Sequence, residues 1–304
     1  MTPETELVLG AVQIGLDYGA TNTHGRPDDA AANAILDAAL AEGIATIDTA
    51  RAYGESEVRI GRFLSARPKA DLRIVTKIAP DLGDDPVEAT RASLETSREA
   101  LGRERLDAVL FHRPAHLTTG GGAALDALTD EREAGRVGRI GVSLSEPEEL
   151  EAALAFSAVG QVQFPFNALD GRFEGERTQA AIAARPDVVF HLRSAFLQGV
   201  LLAPDPRILT RIFGAEAGDV AAFIDGLPGG ETTAGRLRAL LAYACAQPWI
   251  DGVVTGAATA AEISEIAAAW RDAPAIADDV AAYVAAYRPN LPPETLNPAN
   301  WSQS

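Results

Sequence analysis

Asp48, Tyr53, Lys77 and His112 are the residues of this 304-residue chain whose types and spacing best suit chemistry, each at or just past the end of one of three successive strand-like runs. Lysine occurs only at positions 69 and 77, so the other 24 of the 26 Lys+Arg residues are arginine. Lys69 lies in a polar turn, Arg67-Pro68-Lys69-Ala70-Asp71, whereas Lys77 ends the apolar run Arg-Ile-Val-Thr-Lys-Ile at 73–78. A tyrosine, with an ordinary pKa of about 10, is a poor acid at neutral pH. A neighbouring ammonium favours its phenolate, and a carboxylate paired with that ammonium keeps it charged in a partly buried place. An imidazole beside them donates a second hydrogen bond to a carbonyl oxygen and stabilises charge that develops there. The four together read as a proton-donating site. Singly, each has a plainer account: an aspartate caps a helix, a tyrosine packs, a histidine sits satisfied in a core. Lys77 resists that account most, because an unpaired lysine at the end of an interior strand is costly.

The elements that must position these residues follow from periodicity. Short β-branched runs at 7–10, 44–50, 73–78, 108–113, 139–144, 159–166, 188–195 and 251–256 predict strands. Helical period is found at about 28–42, 55–66, 86–102, 122–135, 146–157, 175–185 and 233–247. Asp28, Ser56 and Asp85 serve as start signals, and Pro86 and Pro147 suit first turns. Eight apolar strands alternating with helices predict an α/β fold, a (β/α)8 TIM barrel. No G-x-G-x-x-G follows the first strand, which counts against a Rossmann domain. The reading is a single domain over 1–304, with the barrel at about 7–270 and a C-terminal helix and tail at about 271–304. A long connection after strand seven, from Leu202 to about Thr232, holds two short helix candidates, 206–213 and 217–226. Further helices are expected at 259–270 and 276–287, and the Pro/Asn-rich tail from Pro289 is expected to be disordered or to fold over the barrel mouth. Active sites of such barrels lie at the C-terminal strand ends, so all four residues converge on one mouth.

Composition narrows the function classes. A net charge of −17 and a pI near 4.6 argue against binding nucleic acid or anionic membranes, which requires basic surface. The one cysteine, Cys245, cannot form an internal disulfide and suits a reducing cytosol. No signal peptide and no membrane-spanning apolar stretch are found, so the expected location is cytoplasmic. With four histidines, no His-x-His pair at a strand end, and Pro114 between His112 and His116, no metal site is expected. The oligomeric state is left open.

The chain resembles the aldo-keto reductase family. The resemblance rests on Asp48-Thr-Ala-Arg-Ala-Tyr-Gly-Glu-Ser-Glu57, Ile74-Val-Thr-Lys77, Leu110-Phe-His-Arg113 and Ile140-Gly-Val-Ser143. It continues through Gln163 and Arg193-Ser-Ala-Phe-Leu-Gln-Gly199 to near Trp270, about nine-tenths of the chain. It implies a metal-free barrel that binds extended NADPH or NADH and moves hydride between nicotinamide and a carbonyl carbon of an aldehyde, ketone or sugar. By the same resemblance Tyr53 is the general acid, Lys77 and Asp48 tune it, and His112 orients the substrate. Ser143 and Gln163 match residues that bind the carboxamide, and Ser194 to Leu197, including Phe196, match the turn that meets the pyrophosphate. Arg193 stands where many members stack an aromatic ring on the nicotinamide, a role that a guanidinium plane can also fill.

The eighth strand departs most from the pattern. The segment from Gly256 through Thr259 and Glu262 to Ile266 aligns with the clamp for the adenosine 2′-phosphate. No basic side chain lies between Gly256 and Trp270. Glu262 would repel a phosphate yet accept a hydrogen bond from a free ribose hydroxyl. NADP is the family habit, whereas the missing clamp points to NAD unless an arginine from elsewhere supplies it. For the substrate, the first loop, Gln13-Ile-Gly-Leu-Asp-Tyr-Gly-Ala-Thr-Asn22, offers Tyr18 and Asn22 as partners for a polyhydroxy compound, or merely as turn residues. It resembles branches linked to sugar-like substrates. Trp301 and the 203–232 loop are further pocket candidates. The competing reading is a nucleotide-sensing regulatory barrel with vestigial catalysis, which would have no need of the Tyr/Lys pair.

Overall fold

The computed structural model describes residues 5–22 and 24–301. Eight parallel strands close into a barrel in chain order: β1 (Glu6–Gly10), β2 (Thr46–Asp48), β3 (Arg73–Lys77), β4 (Leu106–Phe111), β5 (Val137–Ser143), β6 (Val159–Pro165), β7 (Val189–Arg193) and β8 (Gly252–Gly256). This is the (β/α)8 TIM barrel that the periodicity predicts. The strands are apolar because helices cover their outer face while their inner face fills the barrel. Leu9, Val109, Ile140, Val162, Leu192 and Val253 are essentially inaccessible to solvent.

Several helix starts follow from single residues. Asp28 accepts from the Ala31 amide at 2.8 Å, and Asp85 accepts from Glu88 at 3.0 Å with Pro86 in the first turn. Ser56 corrects the expectation. Its hydroxyl makes no cap; it donates to the Ala11 carbonyl at 2.8 Å and accepts from Thr49 at 2.9 Å. A serine turned inward at the head of the Ser56–Ala66 helix thus ties the β1 loop to the β2 loop. Strand limits also shift. β2 covers three residues rather than 44–50, although the amides of Thr49 and Arg51 still reach the Val75 and Lys77 carbonyls at 2.8 and 3.0 Å. β4 ends at Phe111, so His112 lies just beyond it.

Alternation along the strands decides which groups enter the barrel. At its lower end, Thr46 donates to Glu6 at 2.9 Å, Arg73 pairs with Glu6, and Gln161 meets His191 at 3.3 Å. Gly252 leaves room for that histidine: a Cβ there would sit 2.7 Å from its ring. At the upper end the same alternation delivers Asp48 and Lys77 to the interior.

The connection after β7 forms helices Pro206–Phe213 and Ala217–Asp225. Phe223 packs on Tyr283 of the Ala277–Tyr287 helix at a ring distance of 5.5 Å, and Tyr283 donates to the Phe223 carbonyl at 3.0 Å. The described part of the tail forms the short turns Pro293–Leu296 and Pro298–Asn300. Arg288 fastens its root, donating to the Ala168 carbonyl at 2.9 Å and pairing with Glu174 at 2.8 Å. No helix among the described residues is long and apolar enough to cross a membrane.

Candidate active site

The floor of the barrel mouth is a buried ion pair. Lys77 Nζ donates to Asp48 Oδ1 at 2.6 Å and to the Thr49 carbonyl at 3.1 Å, while Gln163 Nε2 donates to Asp48 Oδ2 at 2.7 Å. Lys77 is 1% and Asp48 3% exposed. Burial alone would strip the ammonium of its proton, but Asp48 and the Tyr53 phenol outweigh it and hold the Lys77 pKa above the ordinary lysine value. A fixed positive charge therefore lies under the mouth at neutral pH, with Lys77 Nζ 5.1 Å from the centre of the Tyr53 ring.

His112 stands edge-on to Tyr53 at a ring distance of 6.3 Å. Burial, then the charges of Lys77 and Arg193, lower its pKa to about 4. The imidazole is neutral over the physiological range, and its Nδ1 is buried without a protein partner. A neutral imidazole keeps one N–H to donate and does not add a second positive charge beside Lys77.

Tyr53 owes its place to close backbone packing. Its carbonyl lies so near Gly15 that a Cβ there would be 1.8 Å away, and Gly54 adopts φ +56°, a conformation glycine takes without strain. Arg59, from the Ser56–Ala66 helix, donates to the Ile14 and Pro27 carbonyls at 2.7 and 2.8 Å, pressing the β1 loop onto the Tyr53 turn.

Above the floor opens a cleft of about 710 Å³ with Asp48, Tyr53 and His112 on its wall. Lys77 is not on that wall and acts on the cleft through Asp48 and Tyr53. Ser143, Gln163, Arg193, Ser194, Phe196, Gly256 and Glu262 also face the cleft. Arg193 reaches across to the Leu144 carbonyl at 3.1 Å and Ser145 Oγ at 3.2 Å. The turn after β7 is strained: Ser194, Leu197 and Gln198 have φ of 64°, 47° and 54° before Gly199 at 89°. Leu197 is not on the cleft wall. Its side chain is inaccessible and its amide donates to the Ser194 carbonyl at 2.9 Å, while the left-handed turn presents Gln198 instead. Thr259 is also off the wall, capping the Ala260–Asp272 helix by accepting from Glu262 N at 3.2 Å. Glu262 in turn accepts from the Ala258 amide at 2.7 Å, so it holds the helix start and faces the cleft at once.

Of the substrate candidates, Tyr18 and Asn22 line the cleft. Asn22 is committed to its loop, donating to Asp17, Tyr18 and Gly25 oxygens at 3.2 to 3.3 Å and accepting from His24 N at 2.9 Å. The Tyr18 phenol accepts from Gln198 at 3.3 Å, joining the β1 loop to the β7 turn. Trp301 stands off the wall and donates to the Thr295 carbonyl at 2.9 Å; Ala299 represents the tail there. From the long connection, Leu202 and Ala203 at its start reach the cleft.

Sequence reasoning passed over Gln13, Arg113 and Glu149, all on the wall. Gln13 lies against Gly256, where a Cβ would meet its amide at 2.3 Å, and its Oε1 is buried without a partner. The adjacency of Arg113 to His112 was the available signal for it. Among the described residues no group of three or more His, Cys, Asp or Glu is placed to hold a metal ion.

The aldo/keto reductase family model matches residues 6–207. The chain belongs to the aldo/keto reductase family. An aldo-keto reductase of Mycolicibacterium smegmatis is 37% identical over 115 residues, covering 37% of this chain and 41% of that protein. One from Mycolicibacterium vanbaalenii is 33% identical over 161 residues, covering 49% and 53%. The chain thus spans about half the length of the curated relatives it matches. Two solved structures share the fold. An aldo-keto reductase from Bacillus halodurans in holo form superposes with a TM-score of 0.74 at 18% identity, covering 93% of this chain and 92% of that one. The glycerol dehydrogenase of Gluconobacter oxydans superposes with a TM-score of 0.73 at 22% identity, with the same coverage.

Proposed function

We propose that this family member is an NAD(P)(H)-dependent oxidoreductase acting on the carbonyl or alcohol carbon of an aldehyde, ketone or aldose-like substrate. The observation that carries the reading is the charged Lys77–Asp48 pair sealed beneath Tyr53, with a neutral His112 beside it. When bound, the nicotinamide dinucleotide supplies or takes up the hydride. The protein's own part is proton transfer and charge. In reduction, Tyr53 gives its phenolic proton to the carbonyl oxygen, and the Lys77 ammonium stabilises the phenolate left behind. In the reverse direction the phenolate accepts the alcohol proton. Asp48 keeps Lys77 protonated, and Gln163 satisfies the second carboxylate oxygen so that this buried charge has no loose acceptor. His112 donates its remaining N–H to the same carbonyl oxygen and fixes its direction.

The cleft suits an extended dinucleotide. Its volume falls in the range of small-molecule sites. Gln163 has given its N–H to Asp48, which leaves its carbonyl oxygen for a carboxamide donor, with Ser143 alongside. Arg193 offers a planar face, the strained turn at 194–198 offers polar groups for phosphate, and Gln13 Oε1 awaits a donor. Glu262 on the wall, with no basic side chain from Gly256 to Trp270, favours NAD at least as strongly as NADP.

The test is fluorescence titration of the protein with NADH and NADPH separately, then reduction of aromatic aldehydes and aldoses by the wild type and Tyr53→Phe. Binding of either cofactor with Tyr53-dependent turnover is expected. Failure to bind both would end the oxidoreductase reading.

A further inference from the structure

The charges on the cleft wall do not balance locally, although the chain as a whole carries −17. Each wall carboxylate is engaged. Asp48 holds Lys77, Glu149 accepts from the Ser145 and Glu146 amides at 2.8 and 3.0 Å, and Glu262 accepts from Ala258 at 2.7 Å. The two wall cations, Arg113 and Arg193, meet no carboxylate among the described residues. Arg193 is occupied by the neutral oxygens of Leu144 and Ser145. The Arg113 side chain is exposed and makes no hydrogen bond or ion pair among the described residues, at the exit of β4 one residue beyond His112.

Position separates the roles of these cations. In a closed eight-strand barrel β4 lies opposite β8, four strands away in either direction. The groups assigned above to phosphate and ribose all come from the exits of β7 and β8. Arg113 is therefore on the far wall, on the side of His112, where the substrate's tail must emerge once its carbonyl meets Tyr53. An unpaired guanidinium there, in a strongly acidic protein, is suited to bidentate recognition of an anionic oxygen group.

We propose that the carbonyl substrate carries an anionic oxygen group, a carboxylate or a phosphate, and that Arg113 is the residue that selects it. This inference rests on the oxidoreductase reading and deepens it. A neutral polyhydroxy compound leaves Arg113 without a counter-charge, whereas an acid aldehyde or a phosphorylated sugar supplies one while its carbonyl reaches Tyr53 and His112. Selection acts mainly through KM, because the contact is present before and during reaction.

Two matched pairs of substrates test it: 4-carboxybenzaldehyde against the isosteric 4-formylbenzamide, and D-glyceraldehyde 3-phosphate against D-glyceraldehyde. The anionic member of at least one pair is expected to have the higher kcat/KM by about 10-fold or more, as for a charge-assisted bidentate contact. That advantage should shrink with added salt, collapse to about twofold in Arg113→Ala, and survive in part in Arg113→Lys. Preference in the first pair only identifies a carboxylate, and in the second only a phosphate. Turnover with no anionic preference in either pair, or a preference that Arg113→Ala leaves intact, overturns the inference while the oxidoreductase reading stands. No turnover of any of the four by a protein that binds neither NADH nor NADPH overturns both.

Discussion

Replacing Lys77 with methionine tests the floor of the site most directly. Lys77 and Asp48 are 1% and 3% exposed and meet at 2.6 Å, so the variant strands a carboxylate whose one remaining side-chain partner is the Gln163 amide at 2.7 Å. Breaking a buried pair from one side costs about 3–5 kcal/mol, because the surviving charge stays desolvated. Methionine fills most of the lysine stem's volume, so little of that cost comes from a cavity. The second change, Asp48→Asn, removes the stranded charge and keeps an oxygen to accept from Gln163. The double variant should therefore recover most of the loss, giving a coupling of a few kcal/mol in the double-mutant cycle. Urea unfolding followed by far-UV circular dichroism and tryptophan fluorescence measures all four proteins. Turnover should fall by about 100-fold or more in Lys77→Met and in the double variant, since neither leaves an ammonium beneath Tyr53. A Lys77→Met protein as stable as wild type, or a double variant no more stable than that single one, would refute the electrostatic account of the floor.

Tyr53→Phe should lower kcat by about 10²–10⁴-fold while leaving NADH affinity within about twofold, and near wild-type turnover would sink the acid assignment. Gly15→Ala places a Cβ 1.8 Å from the Tyr53 carbonyl, so the β1 loop or the Tyr53 turn must move; stability should drop by about 1–3 kcal/mol together with kcat, and a wild-type melting temperature would contradict the packing described. Glu262→Arg should shift the NADPH/NADH ratio of kcat/KM toward NADPH by about 10-fold or more, read in steady-state assays with both cofactors. His191, 2% exposed, has its pKa lowered from 6.5 to about 4, chiefly by burial. Below the ordinary value the unfolded chain binds the proton first. The contribution of about 3 kcal/mol is therefore complete above pH 6.5 and is lost as pH falls toward 4. Urea midpoints of wild type and His191→Asn at pH 7 and pH 4.5 should converge at the lower pH, and parallel curves would remove His191 from the acid response.

Much of the site was legible because strands alternate and lysine is rare. A cation inside an apolar run of a barrel calls for a carboxylate on a neighbouring strand, and Asp48, paired with Val75 two residues before Lys77, supplies it at 2.6 Å. Asp28 and Asp85 were legible as caps because an aspartate before a helix has few other uses. Ser56 was not, because its hydroxyl is turned to the Ala11 carbonyl across 45 residues of sequence. The Gln163–Asp48 bond spans 115 residues and depends on where the barrel closes. The assignment of Leu197 missed for a different reason. A left-handed turn breaks both the helical and the strand period, so no residue count from Arg193 reveals that Gln198 faces the cleft while Leu197 is inaccessible. Asn22 and Trp301 are polar or amphipathic groups on loops, and the partners they found were their own loops.

The contrast between floor and walls itself argues for a ligand. On the floor every charge is answered within 3.1 Å by groups held on strands or at their ends, an arrangement that rigidifies the centre. On the walls, Gln13 Oε1 and His112 Nδ1 are buried without partners among the described residues, and in the turn after β7 Ser194, Leu197 and Gln198 hold positive φ without being glycine. A buried polar atom left unpaired costs about 1–3 kcal/mol. Such costs persist where an occupant offsets them, and strained turns gather where a ligand must be met at close range. The orphaned atoms stand at the exits of β1 and β4, and the strained turn stands at β7. An occupant that satisfies all three would extend across the mouth from the β7 side toward His112, within the cleft that Tyr53 also lines.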